Sequence, residues 1–203
     1  MQVILIGVIM LVLLSMANEI DKTMAEVIYL PINSVIVKGE LGSERNEASV
    51  INLVENVNKV WDEANISFAI KDVKSAEMDS DKILNAMKDG KIFAEVDGYD
   101  RDAINLFFIK NMSFNGISFP EQKIVVMPDK TTNLEHVAAA HELGHVLGLD
   151  HNPSEEYLMF SVCNGTAKTI TEVLGARKNA EGLLTSFSQT MLPSVSVGFS
   201  VAS

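Results

Sequence analysis

The chain has 203 residues, 47% of them hydrophobic and 21% charged, and its 27 acidic against 16 basic side chains give a formal net charge of −11. That length suits one domain with a sizeable core better than two, and the composition excludes a disordered chain. No basic patch stands out, so neither nucleic acid nor an anionic membrane surface is an expected partner.

Val3 to Leu14 is apolar throughout, Gly7 included, and no charged side chain occurs before Glu19. The stretch is shorter than the roughly 20 residues of a membrane span. It fits the apolar core of a secretory signal, with Ser15-Met16-Ala17 as the small-residue cleavage site. The expectation is therefore export with removal of residues 1–17, a domain over 18–185 and a tail over 186–203. An uncleaved signal anchor is the rival, because no Lys or Arg precedes the apolar run. After cleavage no stable membrane span is expected. Cys163 is the single cysteine, which rules out an internal disulfide framework, so an exported domain here must rely on its core.

Val27–Val37 reads as a strand interrupted near Pro31. Ser43, followed by Glu44 and Glu47, reads as a capped helix start. Val50, Leu53, Val54, Val57, Val60, Trp61 and Ala64 then recur at helical spacing. Ile66–Ile70 alternates as a strand does. A short helix is expected from Asp79, with Ile83, Leu84 and Met87 inward and Gly90 at its end. Ile104–Ile109 is an apolar run but for Asn105, the mark of a buried central strand. Gly116–Met127 is β-rich but broken at Pro120, and its stronger half, Lys123-Ile124-Val125-Val126-Met127, reads as an edge strand. Thr132 and Glu135 have capping-box spacing, opening a helix that runs through His145 and stops at Gly148. A last helix is expected over about Thr169–Leu184. The tail is Ser-rich and apolar without clear periodicity. Strands and helices first, with helices after them, predict an α/β or α+β domain divided by a cleft.

The chemistry is concentrated in His141-Glu142-Leu143-Gly144-His145-Val146-Leu147-Gly148-Leu149-Asp150-His151. Helical residues four apart share a face, so His141 and His145 can offer two imidazole nitrogens to one ion. Glu142 lies beside them, able to reach a water on that ion without ligating it. Gly148 lets the chain leave the helix sharply and swing His151 back as a third ligand. Three imidazoles leave the fourth position of tetrahedral zinc open, as a catalytic site requires. Three of the four histidines fall within these eleven residues; His136, five residues before His141, points to another face and is expected at the surface.

This segment is similar to the extended zinc signature of the metzincin clan, His-Glu-x-x-His-x-x-Gly-x-x-His, at every fixed position. Tyr157-Leu158-Met159 resembles the clan's methionine turn, with Met159 eight residues after His151, a spacing like that of matrixins. The resemblance implies a zincin-like fold: a twisted mixed sheet with an edge strand over the cleft, a zinc-binding helix and a helical C-terminal subdomain. It also implies a zinc-dependent endopeptidase, with His141, His145 and His151 as ligands, Glu142 as base, Gly148 and Met159 as structural supports, and an extended peptide or protein substrate lying against Lys123–Met127. A monomer is expected. Asn152, after the third histidine, fits neither matrixins, adamalysins nor astacins; Phe160-Ser161 supplies no astacin-type Tyr ligand, and Asn152-Pro153 lacks the cysteines of archaemetzincins, so the subfamily stays unassigned. A non-catalytic zinc-dependent binding or toxin-like module is the alternative, against which Glu142 speaks. Cys163 is expected to be a buried small thiol near the S1′ pocket. Glu95, Asp97, Asp100 and Asp102 around Gly98 raise the question of calcium, but their spacing does not fit an EF-hand loop and a solvated acidic turn is expected.

Overall fold

The computed structural model describes residues 26–190 and Ser15. The expected signal segment, Ser15 apart, and most of the tail lie outside the described residues. One five-stranded sheet has the order β2-β1-β3-β5-β4, built from β1 (Ile28–Lys38), β2 (Ile66–Glu77), β3 (Ile104–Ile109), β4 (Ile117–Phe119) and β5 (Ile124–Pro128). All pairings are parallel except β4 with β5. Four helices accompany it among the described residues: α1 (Glu47–Trp61), α2 (Ser80–Ala86), α3 (Glu135–Val146) and α4 (Ile170–Thr190).

One face of the sheet packs under α1, α3 and α4, through Leu30, Ile32, Leu106 and Phe108 from the strands and Val54, Trp61 and Leu143 from the helices. The other face packs on α2 and the loops around Phe93, through Val35, Val37, Phe107, Ile109 and Val126. A strand with both neighbours in place and both faces covered has no solvated side, which is why β3 is buried at all six positions and apolar apart from Asn105, whose side chain bonds Asn33 and the Asp100 carbonyl.

Several local expectations give way to tertiary partners. Strand β1 runs straight through Pro31, with a register irregularity between Ile32 and Asn33 instead. Its pairing with β3 starts only at Ile32, so Pro31 lies where one side of the strand is still open, a place that tolerates a missing donor. The cap of α1 is Asn46, whose side chain accepts from the Ser49 amide; Ser43 instead donates to Asp129. Leu84 is exposed rather than inward, while Ile83 is buried. Thr132 and Glu135 form no capping box: α3 has Leu134 at its N-cap without a side-chain bond, because Thr132 is bonded to Asn115 and Glu135 is paired with Arg45. The reciprocal box sits ahead of α4, where the Glu172 amide donates to Thr169 Oγ1 at 3.1 Å and the Thr169 amide to Glu172 Oε2 at 2.6 Å. Helix α4 continues to Thr190 and buries Phe187, so the boundary expected at residue 185 falls inside it.

The largest correction concerns the edge. Lys123–Met127 is not an edge strand: β5 lies between β3 and β4, and Ile124, Val125, Val126 and Met127 are all buried. Lys123 precedes β5 in a left-handed conformation, φ +54°, and closes a 3-10 turn opened by Pro120. The edge is β4. Pro120 therefore marks a hairpin connection, not an irregular edge.

Candidate active site

Helix α3 delivers His141 and His145 one turn apart, and it can lie deep in the molecule because Val137, Ala138, Ala139, Ala140 and Leu143 bury its flanks. The helix ends where Gly148 takes φ +75°, a conformation that side chains beyond glycine resist. Space demands glycine there too, since an added Cβ would meet Asn179 Nδ2 at 2.4 Å. Asn179 itself donates to the Leu147 carbonyl at 2.8 Å, so α4 helps terminate α3. The chain then returns His151 to the two helical imidazoles, with ring centroids 4.8 Å from His145 and 5.4 Å from His141.

Hydrogen bonds fix which ring nitrogens face inward. His141 Nδ1 lies 2.8 Å from the Leu158 carbonyl and His145 Nδ1 2.8 Å from the Leu149 carbonyl. A carbonyl only accepts, so each Nδ1 carries the proton and each Nε2 keeps its lone pair. The Nε2 atoms of His145 and His151 lie 3.2 Å apart, close to the ~3.3 Å that two ligands of tetrahedral zinc adopt at bond lengths near 2.0–2.1 Å. Among the described residues this is the one cluster of three or more metal-capable side chains, with ligand atoms all within 4.8 Å of one another. Burial pushes the His141 pKa down to about 4, which keeps the ring neutral and able to bind metal. The donor set fits zinc.

Glu142 faces a cavity of about 550 Å³ shared with all three histidines. Burial raises its pKa, and a hydrogen bond from Ser118 works against that rise. Its position depends on a close approach by the loop before β4: a Cβ at Gly116 would lie 2.7 Å from Glu142 Cγ. Beneath the site Met159 is fully buried, its sulfur 2.4 Å from where a Cβ at Gly144 would stand. It packs on the helix and is no member of the metal cluster. Cys163 is buried in a left-handed conformation, φ +55°, and lines the cavity. Burial, with the charge of Glu142, pushes its thiol up to about 11.

Other sequence-predicted residues are dispersed. None of Lys123–Met127 lines the cavity, whereas Ile117 and Ser118 of β4 do. His136 is half-buried and outside the metal cluster. In the acidic turn, Asp100 pairs with Lys71 at 2.7 Å. Sequence reasoning missed Ser118, whose approach to Glu142 is long-range and leaves no local pattern. It also left unassigned the Leu149 and Leu158 carbonyls, which no side-chain pattern could reveal.

A buried helix presenting two imidazoles, a glycine turn returning the third, and a methionine packed beneath them define a zinc metallopeptidase of the metzincin clan. The matrixin family model matches residues 37–174, and the chain belongs to the matrixin family. Among solved structures, mature mirolysin of Tannerella forsythia, in complex with a cleaved peptide, superposes with a TM-score of 0.53 at 14% identity, covering 83% of this chain and 99% of that one. Archaemetzincin of Methanopyrus kandleri gives a TM-score of 0.52 at 15% identity, covering 76% and 96% respectively. A chain from a chaperone–substrate complex gives 0.56 at 14% identity and covers 79% of this chain, which spans only 36% of its length. At such identities these likenesses speak for the fold alone. No curated protein sequence matches this one.

Proposed function

We propose that this chain is an exported zinc endopeptidase in which Glu142 is the general base. The observation that carries the reading is Glu142 sharing one cavity with three converging imidazoles. Bound zinc would acidify a water and polarise the scissile carbonyl. Glu142 takes the proton of the attacking water and returns it to the leaving amine nitrogen. Its raised pKa suits both halves of that exchange, because a carboxyl of ordinary acidity is a weak acid catalyst near neutral pH.

Substrate lies extended along the open edge of β4, Ile117–Phe119, and pairs with it through main-chain hydrogen bonds. This replaces Lys123–Met127 as the substrate strand. The Glu142→Gln variant keeps all three imidazoles and should retain about one zinc per chain. Cleavage of peptides should fall by about 10²–10⁴-fold, the usual size of a general-base contribution. Equal cleavage by both proteins would remove Glu142 from the mechanism. Zinc binding without cleavage of any member of a broad peptide library by the wild type would favour the non-catalytic binding module. Export rests on the sequence of residues 1–17, and exported protein should begin at Asn18 on N-terminal sequencing.

A further inference from the structure

Lys168 is a lysine whose side chain is only 1% exposed. Its ammonium has three donors and meets three oxygens: the Val60 carbonyl at 2.7 Å, the Thr166 carbonyl at 2.9 Å and Glu63 Oε1 at 2.7 Å. Val60 lies in the last turn of α1, where a cation satisfies an end carbonyl and complements the helix dipole. The ammonium also lies 5.5 Å from the centroid of the Trp61 ring, within the range of a cation–π contact.

Two routes lead from this point to His141. Ala167, next in the chain, accepts from the Leu158 amide at 2.7 Å and donates to the Glu156 carbonyl at 3.1 Å. Gly165 allows the segment to lie flat on that turn, since an added Cβ would come within 2.3 Å of the Glu156 backbone. Leu158, thus held through its amide, is the residue whose carbonyl accepts from His141 Nδ1. By the second route, Trp61 Nε1 donates to the Ala140 carbonyl at 3.3 Å, one residue before the ligand. We infer that Lys168 is a positioning residue of the metal site. Anchored on the end of α1, it clamps Thr166–Ala167 against the methionine turn and so fixes the carbonyl that orients His141.

The inference rests on the histidine triad being the zinc site, and the test separates the two. Zinc affinity is measured by competition with a chromophoric chelator, and the fold of each metal-free protein is followed by circular dichroism and melting. Lys168→Met should bind zinc about 10–100-fold more weakly, the usual cost of disturbing a partner that orients a ligand. Lys168→Arg, which keeps a cation near both carbonyls, should recover most of that loss. In a His141→Ala background Lys168→Met should cost no further affinity, because the ligand it orients is gone. A lower melting temperature of the metal-free Lys168→Met protein with unchanged zinc affinity would overturn the inference. So would an equal loss in both backgrounds. Should Lys168→Met fail to fold, Lys168→Gln against Lys168→Arg carries the same test: equal zinc affinities overturn it, and weaker binding by the Gln variant supports it. Failure of the wild type to bind zinc would sink the triad reading instead.

Discussion

The two edges of the sheet are built in opposite ways. Strand β2 is twelve residues long and exposes Lys71, Asp72, Ser75 and Glu77 along its outer half, with Lys71 and Lys74 engaged by Asp100 and Asp72. Charged side chains of this kind blunt an edge against strand addition. Strand β4 has three residues, Ile117, Ser118 and Phe119, none of them charged and all half-buried, beside the cavity that holds the histidines. An edge left short, uncharged and next to the chemistry is one at which pairing with another chain is useful rather than hazardous. The difference supports the proposed placement of substrate on β4 rather than on β2.

The widest expected gap between the edges comes from adding one carboxylate to each. Ile117→Glu puts charge on the proposed substrate strand, close to Glu142, and should raise KM on the order of tenfold, equivalent to ~1.4 kcal/mol. Ser75→Glu puts the same charge on β2 and should leave KM unchanged. Similar KM changes in both variants would end the assignment of substrate to β4.

A smaller effect is expected from Ser118→Ala. Glu142 must be ionised to accept a proton, so activity is lost as pH falls through its pKa, which burial has already raised. Ser118 opposes that rise. Removing its hydroxyl should move the acid limb of the kcat/KM profile to higher pH, by less than about one unit for a single hydrogen bond worth ~1 kcal/mol. A limb that stays in place, or moves to lower pH, would show that Ser118 does not tune Glu142.

Between these edges, what could be read from the sequence follows how local each signal is. The histidine cluster was legible because its three members and the turn glycine fall within residues 141–151, two of the imidazoles one helical turn apart. Strand β3 was legible because burial on both faces leaves no other pattern. The sheet edge is the part misplaced although the same rule applies: Ile124-Val125-Val126-Met127 is a continuous apolar run, and Pro120 ahead of it marks a hairpin connection rather than an edge. The capping box at Thr132 and Glu135 was a local pattern outbid by Asn115 and Arg45, partners distant in sequence. Thr169 and Glu172 make the real box. Contacts such as Ser118 with Glu142, or Lys168 with Val60, exist only once the sheet and helices have met.

The smallest expected effect lies at the protected edge and reports on how that edge is held. Asp100 accepts from Lys71 Nζ of β2 at 2.7 Å and from the Asp102 amide at 2.9 Å. Its own amide donates at 2.8 Å to Asn105 Oδ1, so the acidic turn is tied to the buried strand β3. Burial alone would raise the Asp100 pKa, but hydrogen bonds from Lys71 and Asp102 and the charges of Lys71 and Lys74 outweigh it, and the pKa is lowered. A carboxyl with a lowered pKa in the folded state contributes stability above its unfolded pKa of about 3.9 and loses it as pH falls through the folded value. Lys71 is partly exposed, with 38% of its side chain accessible, so screening limits the pair to about 1 kcal/mol or less. Asp100→Asn keeps an oxygen for the Asp102 amide and removes only the charge. It should therefore lower stability by up to about that amount at pH 7, and the gap from wild type should close as unfolding is measured at progressively lower pH through the acid range below pH 4. A gap that persists unchanged at the lowest pH would mean that shape, not charge, sets the role of Asp100, and that β2 is guarded without its ion pair.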